Sequence, residues 1–265
     1  MAVERSPAVV IGRFPVGESD RIVTFFTRRF GKVRGVARAA RRVRSRFGGA
    51  LEPFTLGELV FFDGGRSDLV QIDHFDIVQP FARVREDLDR LGHAAWMTEC
   101  VARLTAERDP NPMVFTLLVR ALTAIDGGAR PARVAVAFGV RYVDCLGQAL
   151  RTDACVACGA GMRVGDRVAF DPPGGGTVCA PCANALGGTL TVSGASLATL
   201  RRLGRASWTE ATSTPLGRAE PELRALLEAQ VAGLIGQSTR SARFLREVSR
   251  ASTEEARARA REEPR

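Results

Sequence analysis

The chain has 265 residues, 45% of them hydrophobic, with six cysteines and a formal net charge of +9. That length suffices for two or three compact units with cores of their own, and the composition is that of a globular protein. There is no apolar run of 18 or more residues, and residues 1–30 lack an apolar stretch with a cleavage site, so neither a membrane span nor a secretory leader is expected.

Residues 1–80 read as β structure. Ala8–Phe14 is an apolar run ended by Pro15 and Gly17, Asp20–Thr27 is rich in β-branched and aromatic side chains, and Gly31–Ala39 roughly alternates. Phe54–Phe62 and Leu69–Val78 follow, separated by the turn Asp63–Gly64–Gly65. Five short strands in this span fit a small barrel. The OB-fold is the commonest such barrel that binds oligonucleotides, an SH3-like barrel fits nearly as well, and strand counting does not decide between them.

The same region holds the whole charge surplus: residues 1–50 carry 12 basic and three acidic side chains, the remaining 215 residues 26 of each. From Arg28 to Arg46 there are nine cations and no acid: Arg28, Arg29, Lys32, Arg34, Arg38, Arg41, Arg42, Arg44 and Arg46. A solvated face normally mixes both signs, so this run implies an anionic partner. Nucleic acid comes first, with an acidic protein or phospholipid as the alternatives. In a strand over Gly31–Ala39, Lys32, Arg34 and Arg38 share parity and point to one face, with Arg41, Arg42, Arg44 and Arg46 in the following loop. Those seven and Arg28 are the candidate nucleic-acid contacts. Phe25, Phe26, Phe30 and Phe47 are candidates for base stacking, with core packing the default for each.

At Pro80 the period changes from 2 to 3.6. Phe81–Glu107, Met113–Ile125 and Pro131–Leu150 have helical spacing, interrupted by Asp109–Pro110–Asn111–Pro112 and Asp126–Gly127–Gly128. Cys100 and Cys145 fall on apolar helical stripes and read as small buried residues.

Two tight pairs follow, Cys155–Val156–Ala157–Cys158 and Cys179–Ala180–Pro181–Cys182, spaced C-x2-C-x20-C-x2-C. Two residues between paired cysteines let one turn aim both sulfurs at a single ion, and the excursion between pairs is closed by the metal. Gly159 and Ala183, just after each pair, are small enough for the backbone to curl under the sulfurs. Zinc is the expected ion, with iron or free redox thiols as alternatives; disulfides do not suit a reducing cytoplasm. Four thiolates leave no open coordination position, so Cys155, Cys158, Cys179 and Cys182 form a structural rather than a catalytic site.

Beyond the module, Ser193 can cap a helix through Leu203, and Pro221–Ile235 and Ser241–Val248 have helical spacing. Glu254–Arg265 has no apolar face and reads as a disordered tail. Neither phosphate-binding glycine motif is present, and Gly174–Gly175–Gly176 reads as a plain turn. His74 and His93 lack metal-ligand spacing, and the H-x-E of a zinc deaminase is missing. These absences argue against an enzyme.

Several stretches together carry a resemblance. Gly17–Glu18–Ser19–Asp20–Arg21–Ile22–Val23–Thr24 with Phe30–Gly31–Lys32, then Arg44–Ser45–Arg46–Phe47–Gly48–Gly49 and Leu51–Glu52–Pro53–Phe54, resemble the opening of the RecO family of bacterial recombination mediators. Phe170–Asp171–Pro172 between the cysteine pairs and Arg240–Ser241–Ala242–Arg243–Phe244–Leu245–Arg246 extend the likeness, to the zinc-bearing branch of that family. The resemblance covers roughly residues 8–248.

It implies an N-terminal OB-fold, a helical domain and a zinc module. It also implies a non-enzymatic DNA repair and recombination function in the cytoplasm, associated with the nucleoid. In that function the protein binds single- and double-stranded DNA, anneals complementary strands and works with RecR. It contacts the acidic C-terminal tail of single-stranded DNA-binding protein (SSB) and helps to load RecA. Arg120, Arg133 and Arg141 are the candidates for the SSB tail, with an ordinary surface arginine the default reading for each. The basic run is almost purely arginine where many relatives mix in lysine, which bears on how tightly strands are held.

The expected architecture is α+β. An OB-fold domain spans 1–80, a helical domain spans 81–150 and resumes at 191–250, a four-cysteine, zinc-ribbon-like insertion occupies 151–190, and a tail covers 251–265. The alternative function is a zinc-ribbon transcription or RNA-binding factor. Against it, Arg151, Arg163 and Arg167 balance Asp153, Asp166 and Asp171, leaving the module without net charge.

Overall fold

The computed structural model describes residues 2–65, 67–162, 165–248 and 250. The expected tail over Glu254–Arg265, and Arg163 in the cysteine excursion, lie outside them. The chain forms two compact units. One holds the residues up to Val84 with Met97–Gly128, the other Arg85–Trp96 with the described residues from Ala129 on.

In the first unit, β1 (Ala2–Val16), β2 (Asp20–Thr27), β3 (Gly31–Ala37), β4 (Leu56–Asp63) and β5 (Leu69–Gln79) close into a barrel in the order β1-β2-β3-β5-β4. β4 pairs back onto β1, and only the β3–β5 ladder is parallel. This five-stranded Greek-key closure is the OB-fold. β1 is longer than its apolar run suggests because it serves two partners. Ala2–Val9 pairs with β4 and Ala8–Val16 with β2, across a bulge between Val10 and Gly12. Pro15 stays in the ladder opposite Arg21, and the chain turns at Gly17, whose φ is +56°.

Alternation builds the core. Along β3, Gly31, Val33, Gly35 and Ala37 are buried while Lys32, Arg34 and Val36 lie between burial and exposure. Phe25, Val33, Leu59, Phe61 and Ile72 fill the barrel, and Ala40, Phe47, Ala50 and Leu51 from the β3–β4 connection enter the same cluster. Apolar anchors therefore hold that irregular segment. Phe26 points out of the barrel yet is fully buried, because Phe115 covers it with ring centroids 6.5 Å apart.

The predicted helix Phe81–Glu107 is shorter than its periodicity. A 3-10 turn at Ala82–Arg85 precedes α1 (Leu88–Leu104), where the Asp87 carboxylate accepts from the Arg90 N–H at 2.9 Å and caps the start. α2 (Pro112–Asp126) carries Phe115; Asn111 caps it, accepting from Val114 N–H at 3.0 Å, and Pro112 stands in its first turn.

In the second unit α3 (Pro131–Cys145) stops before Leu150, because Gly147 turns the chain at φ +72°. The cysteine excursion supplies β6 (Arg167–Asp171), β7 (Gly176–Val178) and the short helix α4 (Ala180–Leu186), and β8 (Leu190–Ser193) completes a sheet in the order β7-β6-β8. α5 (Gly194–Arg205) is capped as predicted by Ser193, whose Oγ accepts from Ser196 N–H at 3.2 Å. α6 (Trp208–Ser213), α7 (Ala219–Ile235) and a helix over 240–248 follow, the first of them too short to show in the periodicity. The core here centres on Trp96, Phe138 and Tyr142, the last two stacked at 5.2 Å. Gly139 makes this packing possible, since a Cβ there would stand 3.0 Å from Leu227 and 3.2 Å from Trp96.

Candidate metal centre and nucleic-acid interface

The Sγ atoms of Cys155, Cys158, Cys179 and Cys182 all lie within 4.8 Å of one another. An ion holding four sulfurs at about 2.3 Å sets them about 3.8 Å apart. Cys158 and Cys179 are 3.7 Å apart, so the donor set fits a closed tetrahedral site. None of the six cysteines is bridged.

Different local structures present the two pairs. The first is a tight hairpin, with Cys155 N–H donating to Ala160 O at 2.8 Å and Gly159 N–H to Cys155 O at 2.9 Å. Gly159 has φ +76°, so a small residue after the pair is required here. The second pair opens α4, with Cys179 as its N-cap and Cys182 in the first turn. Ala183 simply continues that helix, which corrects the expectation of a second backbone curl.

The N–H groups of Cys179 and Cys158 point at the Cys155 sulfur, the first at 3.4 Å, and hold its pKa down at about 6. Cys182, whose thiol is turned toward the sulfurs of Cys179 and Cys158, is pushed up to about 12. Four sulfurs this close repel one another as thiolates, and a bound cation relieves that repulsion. The glycine turn packs nearby: Gly175 has φ +67°, and Gly176 is pressed so closely on Arg151 O and Val156 that no Cβ fits. Phe170, fully buried in β6, anchors the sheet that carries the second pair.

Of the nine cations between Arg28 and Arg46, seven are exposed: Arg28, Arg29, Arg38, Arg41, Arg42, Arg44 and Arg46. Arg38 does not share a strand face with Lys32 and Arg34 as the parity argument expected. β3 ends at Ala37, and Ala39 turns the chain at φ +55°. Asp20 anchors that turn, its carboxylate accepting from Ala39 N–H at 2.8 Å, which lowers its pKa. Arg41 reaches Gly17 O at 3.1 Å, and Arg46 stands 3.8 Å from Asp73 with its guanidinium 5.0 Å from the Phe47 ring.

The other two cations are engaged. Lys32 Nζ donates to Ala102 O and Thr105 O, both at 2.8 Å, and its side chain is only 12% exposed. It sits at the C-terminal end of α1, where a cation meets the free carbonyls. Arg34 Nε lies 3.6 Å from the Glu107 carboxylate. Phe25, Phe26 and Phe47 are buried in line with core packing, and Phe30 is half-buried, edge-on to Phe61 at 5.5 Å.

Arg120 is exposed on α2 in the first unit. Arg133 and Arg141 lie on α3 in the second unit, both bound to backbone. Arg133 donates to Ser213 O at 2.7 Å, and Arg141 donates to Ala206 O at 2.7 Å and lies 5.6 Å from the Trp208 ring. Burial lowers the Arg141 pKa. Arg141 also borders a cleft of about 250 Å³ with Arg201 and Arg205 over Val140, Leu150 and Leu200. His93 is buried with Nδ1 2.8 Å from Asp89 O, and His74 is partly exposed between Asp73 and Asp76.

Sequence reasoning missed Glu107 and Arg108. Both lie far along the chain from the basic run, and helical periodicity assigned Glu107 to the end of a helix.

Comparison with known proteins bears on most of the chain. The family model for the Recombination protein O N terminal matches residues 1–81, and that for the Recombination protein O C terminal matches residues 85–242. The chain belongs to the RecO family. The DNA repair protein RecO of Anaeromyxobacter sp. (strain K) is 39% identical over 242 residues, covering 91% of this chain and 94% of its own. That of Myxococcus xanthus (strain DK1622) is 36% identical over 245 residues, 91% and 96% of the two chains. That of Geobacter sulfurreducens is 37% identical over 254 residues, 92% and 98%. RecO membership carries a role in DNA repair and recombination. Among the described residues no helix is long and apolar enough to cross a membrane.

Proposed function

We propose that this RecO-family chain binds single- and double-stranded DNA through the arginines beside its barrel, anneals complementary strands and, with RecR, helps to load RecA onto SSB-coated DNA. The observation that carries this reading is the set of seven exposed arginines between Arg28 and Arg46, in a segment without a single acid, on a barrel of the type that binds oligonucleotides. Annealing needs two like-charged strands brought together with their bases free. Phosphate neutralisation does this without reading base edges.

The proposed contacts are Arg28, Arg34, Arg38, Arg41, Arg42, Arg44 and Arg46, with Arg29 added by its exposure. If about five of them touch one strand, log K falls against log salt with a slope of roughly −3.5. The cysteine site holds one structural Zn2+ in this reading, pinning the module, and supplies no chemistry to DNA. For the SSB tail, the proposed seat is the cleft where Arg141, Arg201 and Arg205 stand over Val140, Leu150 and Leu200, with Asp144 and Asp153 also at its border. RecO function of this kind breaks no covalent bond and belongs in the cytoplasm, at the nucleoid.

The test is strand annealing on SSB-coated complementary oligonucleotides, with the native chain and with Arg38, Arg41 and Arg42 changed to Gln. Annealing by the native chain and its loss in the triple variant is the expected result. Equal annealing by both, or affinity that does not change with salt, overturns the assignment to the arginine segment.

A further inference from the structure

The barrel has a seam. β3 meets β5 only through Arg34–Val36, so the edge of β3 that precedes Arg34 has no strand beside it. Residues from the α1–α2 connection take that place. Lys32 and Glu107 form a parallel bridge, and Arg108 N–H donates to Lys32 O at 3.0 Å. Gly31, at φ +63°, lies so close to the Asp109 backbone that a side chain there would collide with it. Arg108, itself at φ +58°, reaches Asp63 Oδ2 at 3.0 Å and lies 5.8 Å from the Phe61 ring. The connection is thus stapled to the barrel beside the β4–β5 loop.

A cleft of about 980 Å³ forms at this staple. Arg29, Phe30, Arg34, Asp63, Glu107 and Arg108 border it. It holds what a single nucleic-acid strand uses: guanidinium groups for phosphate and a half-buried aromatic ring for a base. It also lies beside the β4–β5 loop, a region where OB-folds take oligonucleotides. Three carboxylates line it as well: Asp63 is paired with Arg108, Asp68 stands at the border, and Glu107 is the one set against Arg34. Glu107 places its carboxylate 3.5 Å from Lys32 Nζ and 3.6 Å from Arg34 Nε. Arg34 Nε is buried and has no hydrogen-bond partner. The carboxylate therefore neutralises Arg34 without satisfying it.

We propose that Glu107 is an acidic gate on this cleft: it occupies Arg34 in the free protein and is displaced when the phosphate of a single DNA strand enters. The proposal rests on the reading that the barrel binds DNA. The gate sets a threshold. A phosphate must outcompete a tethered carboxylate, so weak or isolated anions are excluded while a strand held at several neighbouring arginines enters. Lys32 keeps its two carbonyl partners throughout, and the connection stays stapled through the backbone bridge when the Glu107 side chain leaves.

The test is a double-mutant cycle on binding of a fluorescent oligothymidylate to the full chain, with Glu107→Gln, Arg34→Gln and the pair. Losing a half-exposed ion-pair partner is expected to tighten binding by up to about fivefold in Glu107→Gln. The gain should vanish when Arg34→Gln is also present. No gain, or a gain that persists without Arg34 and so reflects general electrostatics, overturns the gate. A parallel arm with Arg38, Arg41 and Arg42 changed to Gln keeps the two ideas apart. If that arm loses binding while Glu107→Gln changes nothing, the gate fails and DNA binding by the barrel stands. If the native chain does not bind the oligonucleotide, the underlying reading fails.

Discussion

Lys32 is the residue where sequence and structure pull hardest in different directions, and replacing it by Met separates them. Within a basic run it reads as one more phosphate contact. In the fold its ammonium gives two hydrogen bonds of 2.8 Å to Ala102 O and Thr105 O at the end of α1, with Glu107 3.5 Å away and little solvent near it. Met keeps most of the apolar stem and removes the donors. A hydrogen bond involving a charged group contributes about 1.5–3 kcal/mol, and a cation at a helix C-terminus up to about 1 kcal/mol more. The carbonyls left behind regain water only in part, so Lys32→Met is expected to cost about 3 kcal/mol. In a unit of this size that lowers the melting temperature by roughly 10 °C.

The comparison is Arg41→Gln, which removes an exposed cation with one solvent-exposed hydrogen bond to Gly17 O and should stay within about 0.5 kcal/mol of the native chain. Urea or thermal melts read the stability. Salt titrations of single-strand binding read the charge: Arg41→Gln should flatten the slope by about 0.7, and Lys32→Met should leave it unchanged in the folded protein. A Lys32→Met variant that melts with the native chain and binds DNA with a flatter slope would refute the structural role.

Three further outcomes follow from the geometry. Cys158→Ser, or a strong chelator, should release one equivalent of zinc and expose amides between Arg151 and Leu190 to exchange, while the barrel amides stay protected; retained metal, read by mass spectrometry, counts against the four-thiolate site. Phe115→Ala strips the cover from Phe26 and should destabilise the first unit by about 3–5 kcal/mol, against which a change under 1 kcal/mol would show that α2 is not needed there. Asp20 has its pKa lowered chiefly by the Ala39 N–H. Its contribution is therefore full above the ordinary carboxylate range and lost as pH falls through the lowered value. The Ala39 amide should lose exchange protection on acidification, and in Asp20→Asn already at neutral pH, whereas protection held throughout would sink the anchor.

Much of this architecture was legible because its signals are local. Strand alternation in Gly31–Ala37, the cap at Ser193 and the tight pairing of the cysteines each act within a few residues, so their chemistry is written in adjacent letters. The four cysteines are the clearest case, because two residues between each pair let one turn aim both sulfurs at a single ion. What escaped was the partner of each charge. Nine cations without an intervening acid look alike in one dimension, yet the fold brings Glu107 to two of them and leaves seven facing solvent. Nothing local in the segment around Glu107 names β3 as its neighbour.

The same limit governs α2, whose apolar face is evident but whose partner is not: a helical stripe says that something must cover it and is silent on what. Phe26 resolves that choice, since an outward-pointing aromatic on a barrel strand requires a cover and Phe115 supplies it. The consequence reaches the proposed interface. The α1–α2 connection that closes the seam of the barrel is held at one end by Lys32 on the α1 carbonyls and at the other by α2 on Phe26. Glu107 is therefore carried to Arg34 by packing on both sides of it. A cation that reads as a DNA contact is instead part of the fixture that positions the acid set against Arg34.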